Sequence, residues 1–386
     1  MLKITMFCIN NIVKKGILNI DCIFWFATLF AYFFQCYDKR LSVFLGPFLI
    51  IYIVINILKI KVVNKVWLKL FFLYTSLLFA SSVFSFYING NDVDNIIRFL
   101  IILILIPISQ NILKKDFTLE WNIVKILSLL KVFSLLYIWI NLFISQDYSE
   151  YRLWANTMGA GDIYILGGIP RVQLHGNSLL FVTFIVEILK EKRITVYAIL
   201  SFLGIIACGN ASFILGLAVL AFLICRPNYI DAIKKRKASA ILFTIGMLIF
   251  SGIFSIYSYE ILLPKLNHSI PTRIDQLAVL LDTNPLIGNG LGHKIFISTP
   301  SRLYNGDIYF ELQTLYIYNQ TGFLILSLLT IITFLPFLKP SNKIKKYAYI
   351  SYLIESFLNP YCYDTTHILT LIMIMNLIPK TEGVAK

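Results

Sequence analysis

The chain is short of charge. Only 14% of its 386 residues are Asp, Glu, Lys or Arg, where a soluble domain carries about 25%. With 58% hydrophobic residues and a mean hydropathy of +0.77, a water-soluble globular fold is excluded. The chain also lacks low-complexity tracts, soluble linkers and any evident internal repeat, which counts against transporters built by duplication. Cysteine does little: Cys8, Cys22, Cys36, Cys208, Cys225 and Cys362 fall mostly within or at the ends of apolar runs. No two share an outside loop, so neither a disulfide framework nor a metal spacing is present. The four histidines, His175, His268, His293 and His367, have no paired spacing, and neither metal nor cofactor is expected. The run Gly288-Asn-Gly290-Leu-Gly292 fails the dinucleotide and P-loop patterns and has no strand before it. It is expected to be a tight turn bringing backbone close to a lipid headgroup.

What is present is a succession of apolar runs. Twelve spans are expected, at 17–37, 41–58, 66–88, 96–113, 122–144, 177–189, 194–208, 211–225, 239–259, 313–337, 347–359 and 366–378. The expected architecture is all-α, one integral membrane domain over residues 1–386. Lys3, Lys14 and Lys15 precede the first run with no small-residue cleavage pattern, so that run is expected to be an uncleaved anchor. The formal net charge of +14 resolves once it is mapped. With the N-terminus inside, the inside segments 1–19, 59–69, 114–125, 190–193, 226–237, 339–346 and 380–386 carry 24 Lys and Arg against 5 acids. The outside segments 38–40, 89–95, 145–178, 209–212, 260–312 and 359–365 carry 8 against 12. Short cytoplasmic loops are rich in Lys and Arg, so both termini are expected in the cytoplasm. The basicity is an orientation signal, and nucleic acid is not an expected partner. Fusing 194–225 into one helix would put its two basic flanks on opposite sides, so two short spans broken at Gly209-Asn210 are expected.

Two polar islands interrupt the apolar runs, at about 145–178 and 260–312. The first ends in Arg171-Val-Gln-Leu-His175-Gly-Asn177. A helix starting at Arg171 would set Arg171 and His175 on one face. In the second, Pro271-Thr272-Arg273 looks like a helix start. Ile274, Leu277, Ala278 and Leu281 then give an amphipathic helix at the interface.

Several residues read two ways. Arg171 and Arg273 are solvated or headgroup-anchoring arginines, or a clamp on phosphate, which the planar guanidinium fork matches bidentately. Arg152 and Arg302 are further loop cations of the same kind. Arg98, three residues into a span, snorkels to the surface or is paired, since a cation at the bilayer centre costs at least about 2.5–3.5 kcal/mol. Asp92-Val-Asp94 is a solvated turn or a paired-acid metal motif. Glu311, at a loop–span junction, and His175 are candidate general bases. Glu187 and Glu355 lie inside spans with no partner visible in sequence.

The segment Arg273-Ile-Asp-Gln-Leu-Ala-Val-Leu-Leu-Asp-Thr-Asn284-Pro285-Leu-Ile-Gly288-Asn-Gly290-Leu-Gly292 resembles the signature of the O-antigen polymerase/ligase superfamily. There an arginine opens a short helix leading to a Pro-x-x-Gly-x-Gly turn in a large periplasmic loop. Arg171-Val-Gln-Leu-His-Gly176-Asn177 resembles that family's other arginine, just before a span, and the twelve spans with two long outer loops match its layout. Ligases of the superfamily keep a His-[Asn/Ser/Gln] pair, nine residues and then Gly at the exit of the loop. Here Glu311 and Leu312 stand in that place before Gly322, so the resemblance is to the Wzy-like repeat-unit polymerases. Arg273 reaches Gly288 after fourteen residues, longer than the ten described in some polymerases.

The resemblance implies a GT-C-like membrane glycosyltransferase, multi-pass in the bacterial inner membrane. It would move a growing glycan from undecaprenyl diphosphate onto an incoming lipid-linked repeat unit at the periplasmic face. Arg171 and Arg273 would stabilise the leaving diphosphate, and Glu311 or His175 would take the hydroxyl proton. Arg98, Arg152, Gly288, Gly290, His293 and Arg302 would contact substrate. Undecaprenyl-diphosphate-linked oligosaccharide, membrane lipid, a chain-length regulator and a flippase are the implied partners. The alternatives are a ligase acting on lipid A-core, a twelve-span flippase or transporter, and a metal-dependent polyprenyl-phosphate glycosyltransferase using Asp92 and Asp94.

Overall fold

In the computed structural model, the residues described are 20–60, 64–166, 168–234, 271, 273–298, 303–307, 310, 312–357, 359 and 361–378. Most of them are helical. The elements in chain order are α1 (Ile20–Phe34), α2 (Leu41–Ile57), α3 (Lys65–Tyr87), α4 (Val93–Ser109), α5 (Thr118–Ser145), α6 (Ser149–Met158), β1 (Gly161–Leu166) and β2 (Ile169–Leu174). Then come α7 (Asn177–Glu191), α8 (Val196–Cys208), α9 (Ala211–Lys234), α10 (residues 273–281), β3 (Ile295–Ser298), β4 (Leu303–Asp307), α11 (Gln313–Phe334), α12 (Lys343–Phe357) and α13 (Thr365–Met375). Helices occupy eleven of the twelve expected apolar runs; the run at 239–259 lies outside the described residues.

Three of these helices, Lys65–Tyr87, Thr118–Ser145 and the stretch Gln313–Leu338, are long and apolar enough to cross a membrane. Their outward faces keep large apolar side chains exposed, including Phe72, Val83, Ile126, Phe133 and Phe323. A soluble monomer does not leave such faces in water over so many helices. Among the other helices, α1 packs against α2 and α5, α8 against α5 and α7, α12 against α9, and α13 against α4 and α7.

The chain is mostly helical, as expected of an all-α membrane protein, and each island adds a two-stranded antiparallel hairpin. In the first, β1 pairs with β2 in the register Gly161↔Leu174 to Leu166↔Ile169. Arg171 therefore lies on a strand opposite Tyr164, and the helix begins only at Asn177. Pro170, with its fixed φ and no N–H, suits a strand edge and not a helix interior. In the second island the helix starting at Pro271-Thr272-Arg273 is present as α10, while Thr272 itself lies outside the described residues.

α11 is broken. Gly322 has φ 67 and ψ 179, a conformation open essentially only to glycine. The freed backbone donors just past the break are taken by the glycine-rich turn: Phe323 N–H donates to the Pro285 carbonyl at 2.8 Å, and Leu324 N–H to that of Leu286 at 3.3 Å. Backbone polar groups freed inside an apolar bundle need partners within the protein, and here a turn from the second island supplies them. The turn is fixed from its other side as well. Asn89 Nδ2 donates to the Asn289 carbonyl at 2.7 Å and Asn91 Nδ2 to that of Leu291 at 3.0 Å, while Asn289 N–H donates to the Asn319 carbonyl at 2.7 Å.

Gly322→Ala and Gly288→Ala are both expected to unseat this turn. A Cβ at 288 would stand 2.6 Å from the Gln320 carbonyl carbon, and one at 322 would overlap the Leu286 carbonyl. Backbone strain alone costs about 1–3 kcal/mol. Thermal melting in detergent should therefore fall for both variants and stay near wild type for Leu286→Ala, whose side chain is exposed.

Candidate functional site

The first hairpin is held against the bundle along its length. Trp139 Nε1 on α5 donates to the Pro170 carbonyl at 3.0 Å, and Asn177 Nδ2 at the start of α7 donates to the Val172 carbonyl at 2.8 Å. Between those two points Arg171 turns inward. Its stem covers Gly209, where a Cβ would come 2.6 Å from the Arg171 Cγ. Gly209, at φ +61, ends α8 and turns the chain into α9. Two backbone requirements thus meet there, a left-handed turn and room for an arginine. The guanidinium lies over the Tyr164 ring at 5.9 Å. Arg171 is only 9% exposed, and among the described residues its Nη1 has no hydrogen-bond partner.

Near Gly209, polar side chains from the adjoining ends of α7, α9, α12 and α13 are joined by hydrogen bonds. Asn210 Nδ2 donates to Asn359 Oδ1 at 3.3 Å, and Asn359 Nδ2 donates to the Glu355 carbonyl at 3.0 Å. Ser178 Oγ donates to Glu355 Oε2 at 3.2 Å. Asp364 caps α13 through the His367 N–H and accepts from Thr366 Oγ1, which is itself 2.8 Å from the Tyr32 hydroxyl. His367 Nε2 lies 2.9 Å from the Tyr349 hydroxyl. The Tyr361 phenol, in the turn between α12 and α13, is pushed far above its usual range by burial, with Glu355, Cys208 and Asp364 adding to the shift. The Arg171 guanidinium itself lies over Tyr164, apart from this cluster.

The other expected site residues have distinct surroundings. The His175 imidazole is held below its usual pKa by burial; a hydrogen bond to Gly159 opposes the shift and the charge on Lys131 adds to it. The ring is therefore neutral at neutral pH. Arg152 is half exposed and lies 3.3 Å from Asp162, with the Tyr148 ring 5.9 Å away. Arg98 is exposed on α4. Arg273 opens α10 and is half-buried. Glu311 and Arg302 lie outside the described residues. His293 is clamped through its backbone: its N–H donates to Gln320 Oε1 at 3.0 Å, and its carbonyl accepts from Gln320 Nε2 at 3.1 Å. Burial holds its ring below the usual pKa.

The open sides of Gly288 and Gly290 face protein, against Gln320 and Ser85, so the glycine requirement at these two positions arises from packing. Asp92 is the N-cap of α4 and pairs with Lys294 at 2.7 Å, which makes it a structural acid. Glu187 is likewise occupied, by Lys125 at 2.7 Å and Trp121 Nε1 at 3.1 Å. No group of three metal-ligating side chains occurs among the described residues.

The two arginines are seated on different helices. Arg171 sits over α8 and the starts of α7 and α9. The carbonyl of Leu280, on the helix that Arg273 opens, accepts from Asn319 Nδ2 of α11 at 3.0 Å. Sequence reasoning missed Lys131. It is 0% exposed in the middle of α5, with Nζ donating to Cys36 Sγ at 2.8 Å and lying 4.9 Å over the Tyr37 ring. The signal was available, because an intramembrane lysine is a functional candidate by default. Asn210, Asn359 and Asp364 carried no such signal.

The histidines give a pH expectation. Above the unfolded-state pKa of about 6.5, both states hold His175 and His293 neutral. Below it the unfolded chain takes protons that the buried rings resist, so stability is lost as pH falls. Thermal melting in detergent should drop between about pH 7 and pH 5, and His175→Gln should flatten the drop. Compared with known proteins, the chain matches no family model, no curated protein and no solved structure.

Proposed function

We propose that this chain is a membrane glycosyltransferase of the repeat-unit polymerase kind. It carries a growing glycan from undecaprenyl diphosphate to the terminal sugar of an incoming lipid-linked unit, at the periplasmic face of the bacterial inner membrane. The observation that carries this reading is Arg171, a guanidinium nine-tenths buried with a donor left unpaired. A charge that does not deprotonate is costly to bury alone. The cost is offset when an anionic ligand arrives, and a diphosphate suits the guanidinium fork.

In this reading the helices form twelve spans with both termini in the cytoplasm, as the Lys and Arg asymmetry requires. Depth then matters. At 1.5 Å per residue, the 13 residues of α8 and the 11 of α13 reach about 20 Å or less, against roughly 30 Å of hydrocarbon. Their outer ends, and the hydrogen-bonded polar cluster beside them, then lie below the headgroup level. A carrier lipid held in the outer leaflet brings its diphosphate to that level without leaving the bilayer.

The chemistry is displacement at the anomeric carbon. The acceptor hydroxyl oxygen forms the new bond to carbon and gives its proton to a base, His175 or Glu311, while the carbon–oxygen bond to the diphosphate breaks and its electron pair stays on the diphosphate. Arg171 faces the charge that develops there and stabilises it in place. Arg273 supplies a second cation from the other island. A flippase delivering repeat units and a chain-length regulator are the partners such an enzyme needs.

The test is polymer made in cells deleted for the gene and complemented with variants at matched membrane levels. Arg171→Ala should cut polymer at least about a hundredfold, the usual scale for loss of one transition-state donor. Arg171→Lys should fail nearly as badly, because a point charge does not reproduce the fork. Arg40→Ala, which breaks an exposed pair with Asp38, should leave polymer length unchanged. Full-length polymer from Arg171→Ala would sink the reading.

A further inference from the structure

At the end of the bundle opposite the first hairpin, a pocket of about 210 Å³ opens between the start of α5, the end of α7 and the end of α13. A single water needs about 10–15 Å³ of such space, so the pocket has room for a group the size of a glycerophosphate. Lys115 and Lys190 border it from two different segments, with Asp116 and Thr118 beside them. Another wall is apolar, formed by Met373 of α13 and by Leu377 and Ile378 just beyond it. Ile378 is 60% exposed, so this wall continues onto the outer surface of the bundle.

The walls are fixed by contacts of their own. Trp121 Nε1 donates to Glu187 at 3.1 Å, and Lys125 holds the same carboxylate at 2.7 Å. Lys190 Nζ lies 5.4 Å over the Trp121 ring so anchored. Asn376, which also lines the pocket, donates to the carbonyls of Ile112 and Ile372 and accepts from the Lys114 N–H. The acid on the rim, Asp116, accepts from the Thr118 N–H at 2.9 Å and so helps to start α5. The neighbouring lysines are spent inside the protein, Lys114 on Asp21 and Glu120 and Lys125 on Glu187. Lys115, exposed on the connection before α5, makes no ion pair among the described residues.

Cations on one side and an apolar wall leading outward describe an amphiphile. A soluble anion would satisfy the lysines and leave the Leu377–Ile378 wall uncovered. A neutral lipid would cover the wall and leave the lysines. We propose that the pocket holds the headgroup of an anionic glycerophospholipid, its phosphate between Lys115 and Lys190 and its chains leaving over Ile378. In the orientation proposed above, this end faces the cytoplasm, the side of the anionic leaflet. The bound phosphate ties the start of α5 to the end of α7, the two helices whose far ends hold the first hairpin. The site is separate from the transfer reading and does not rest on it.

Native mass spectrometry of the purified full-length chain in neutral detergent counts bound lipids and tests the proposal. Three probes are titrated: dioleoyl phosphatidylglycerol, dioleoyl phosphatidylcholine and soluble glycerol 3-phosphate. The first phosphatidylglycerol should bind at least about tenfold more tightly than the first phosphatidylcholine, as two lysines near an anionic headgroup require. Lys115→Ala and Lys190→Ala should each weaken it about fivefold, the scale of one basic residue at an anionic lipid surface. Asp116→Asn keeps an acceptor for the Thr118 N–H while removing the rim's negative charge, and should tighten it. Arg193→Ala and Lys339→Ala, exposed cations at the same end but outside the pocket, should leave it unchanged.

Lys190→Ala also removes the contact with Trp121. If that variant melts early, Lys115→Ala carries the test, because its side chain is exposed. Equal affinity for the two lipids overturns the proposal. So does equal weakening by the pocket variants and by Arg193→Ala and Lys339→Ala, since the attraction then belongs to the basic end as a whole. Glycerol 3-phosphate bound as tightly as phosphatidylglycerol overturns the lipid assignment, because the chains then contribute nothing. Binding is read without polymer synthesis, so polymer from Arg171→Ala would sink the transfer reading and leave this site standing.

Discussion

In a chain this apolar, backbone and side-chain polar groups below the membrane surface must find partners inside the protein, and both islands are built to that constraint. They do not float above the bundle as solvated loops. The second island inserts a turn into the break at Gly322 and lends the Pro285 and Leu286 carbonyls to α11. The first lays a hairpin across α5 and α7, with Trp139 and Asn177 taking the carbonyls of Pro170 and Val172. Loops tied down by long-range hydrogen bonds of this kind become walls, and walls can place a side chain to within the tolerance that binding and catalysis need.

The same constraint separates the two islands by role. In the second, the conspicuous glycines serve approach of backbone to backbone: Gly288 on Gln320, Gly292 on Asp92, Gly322 on Leu286. Its polar side chains are largely spent on that fit, with Gln320 on His293 and Asn319 on Leu280. In the first, glycine makes room for a charge. Gly209 lacks the Cβ that would displace the Arg171 stem, and the guanidinium so admitted keeps an unpaired donor. Charges at the opposite, basic end of the bundle are treated differently. Lys114 binds both Asp21 and Glu120, and Lys125 binds Glu187. Arg171 Nη1 has no such partner among the described residues.

Much of this was legible in the sequence, because hydropathy and charge are local signals. The helix positions, the break at Gly209-Asn210 and the helix opening at Arg273 follow from runs of a few residues. The hairpins were not legible as such, since Arg171 and His175 stand four apart and suit a helical face as well as a strand leading to a turn. Pro170 was the discriminating residue. The polar cluster could not be read at all, because its contacts join residues far apart in the chain: Ser178 with Glu355, Asn210 with Asn359, Tyr32 with Thr366. Glu355 stands out as an acid within an apolar run, but its partner Ser178 comes from another helix. Lys131 was visible by composition alone, as a lysine in the middle of the apolar run 122–144.

Lys131 belongs to the same constraint. It is wholly buried, its described hydrogen-bond partner is the Cys36 thiol, and its charge reaches His175 and Cys208. Cys208 adjoins Gly209, on which the Arg171 stem rests, and His175 follows the strand that carries Arg171. A protonated His175 ring would add a second positive charge within reach of Lys131, and burial opposes that charge as well. The neutral ring therefore follows from two causes that act together, the loss of solvent and the lysine already in place.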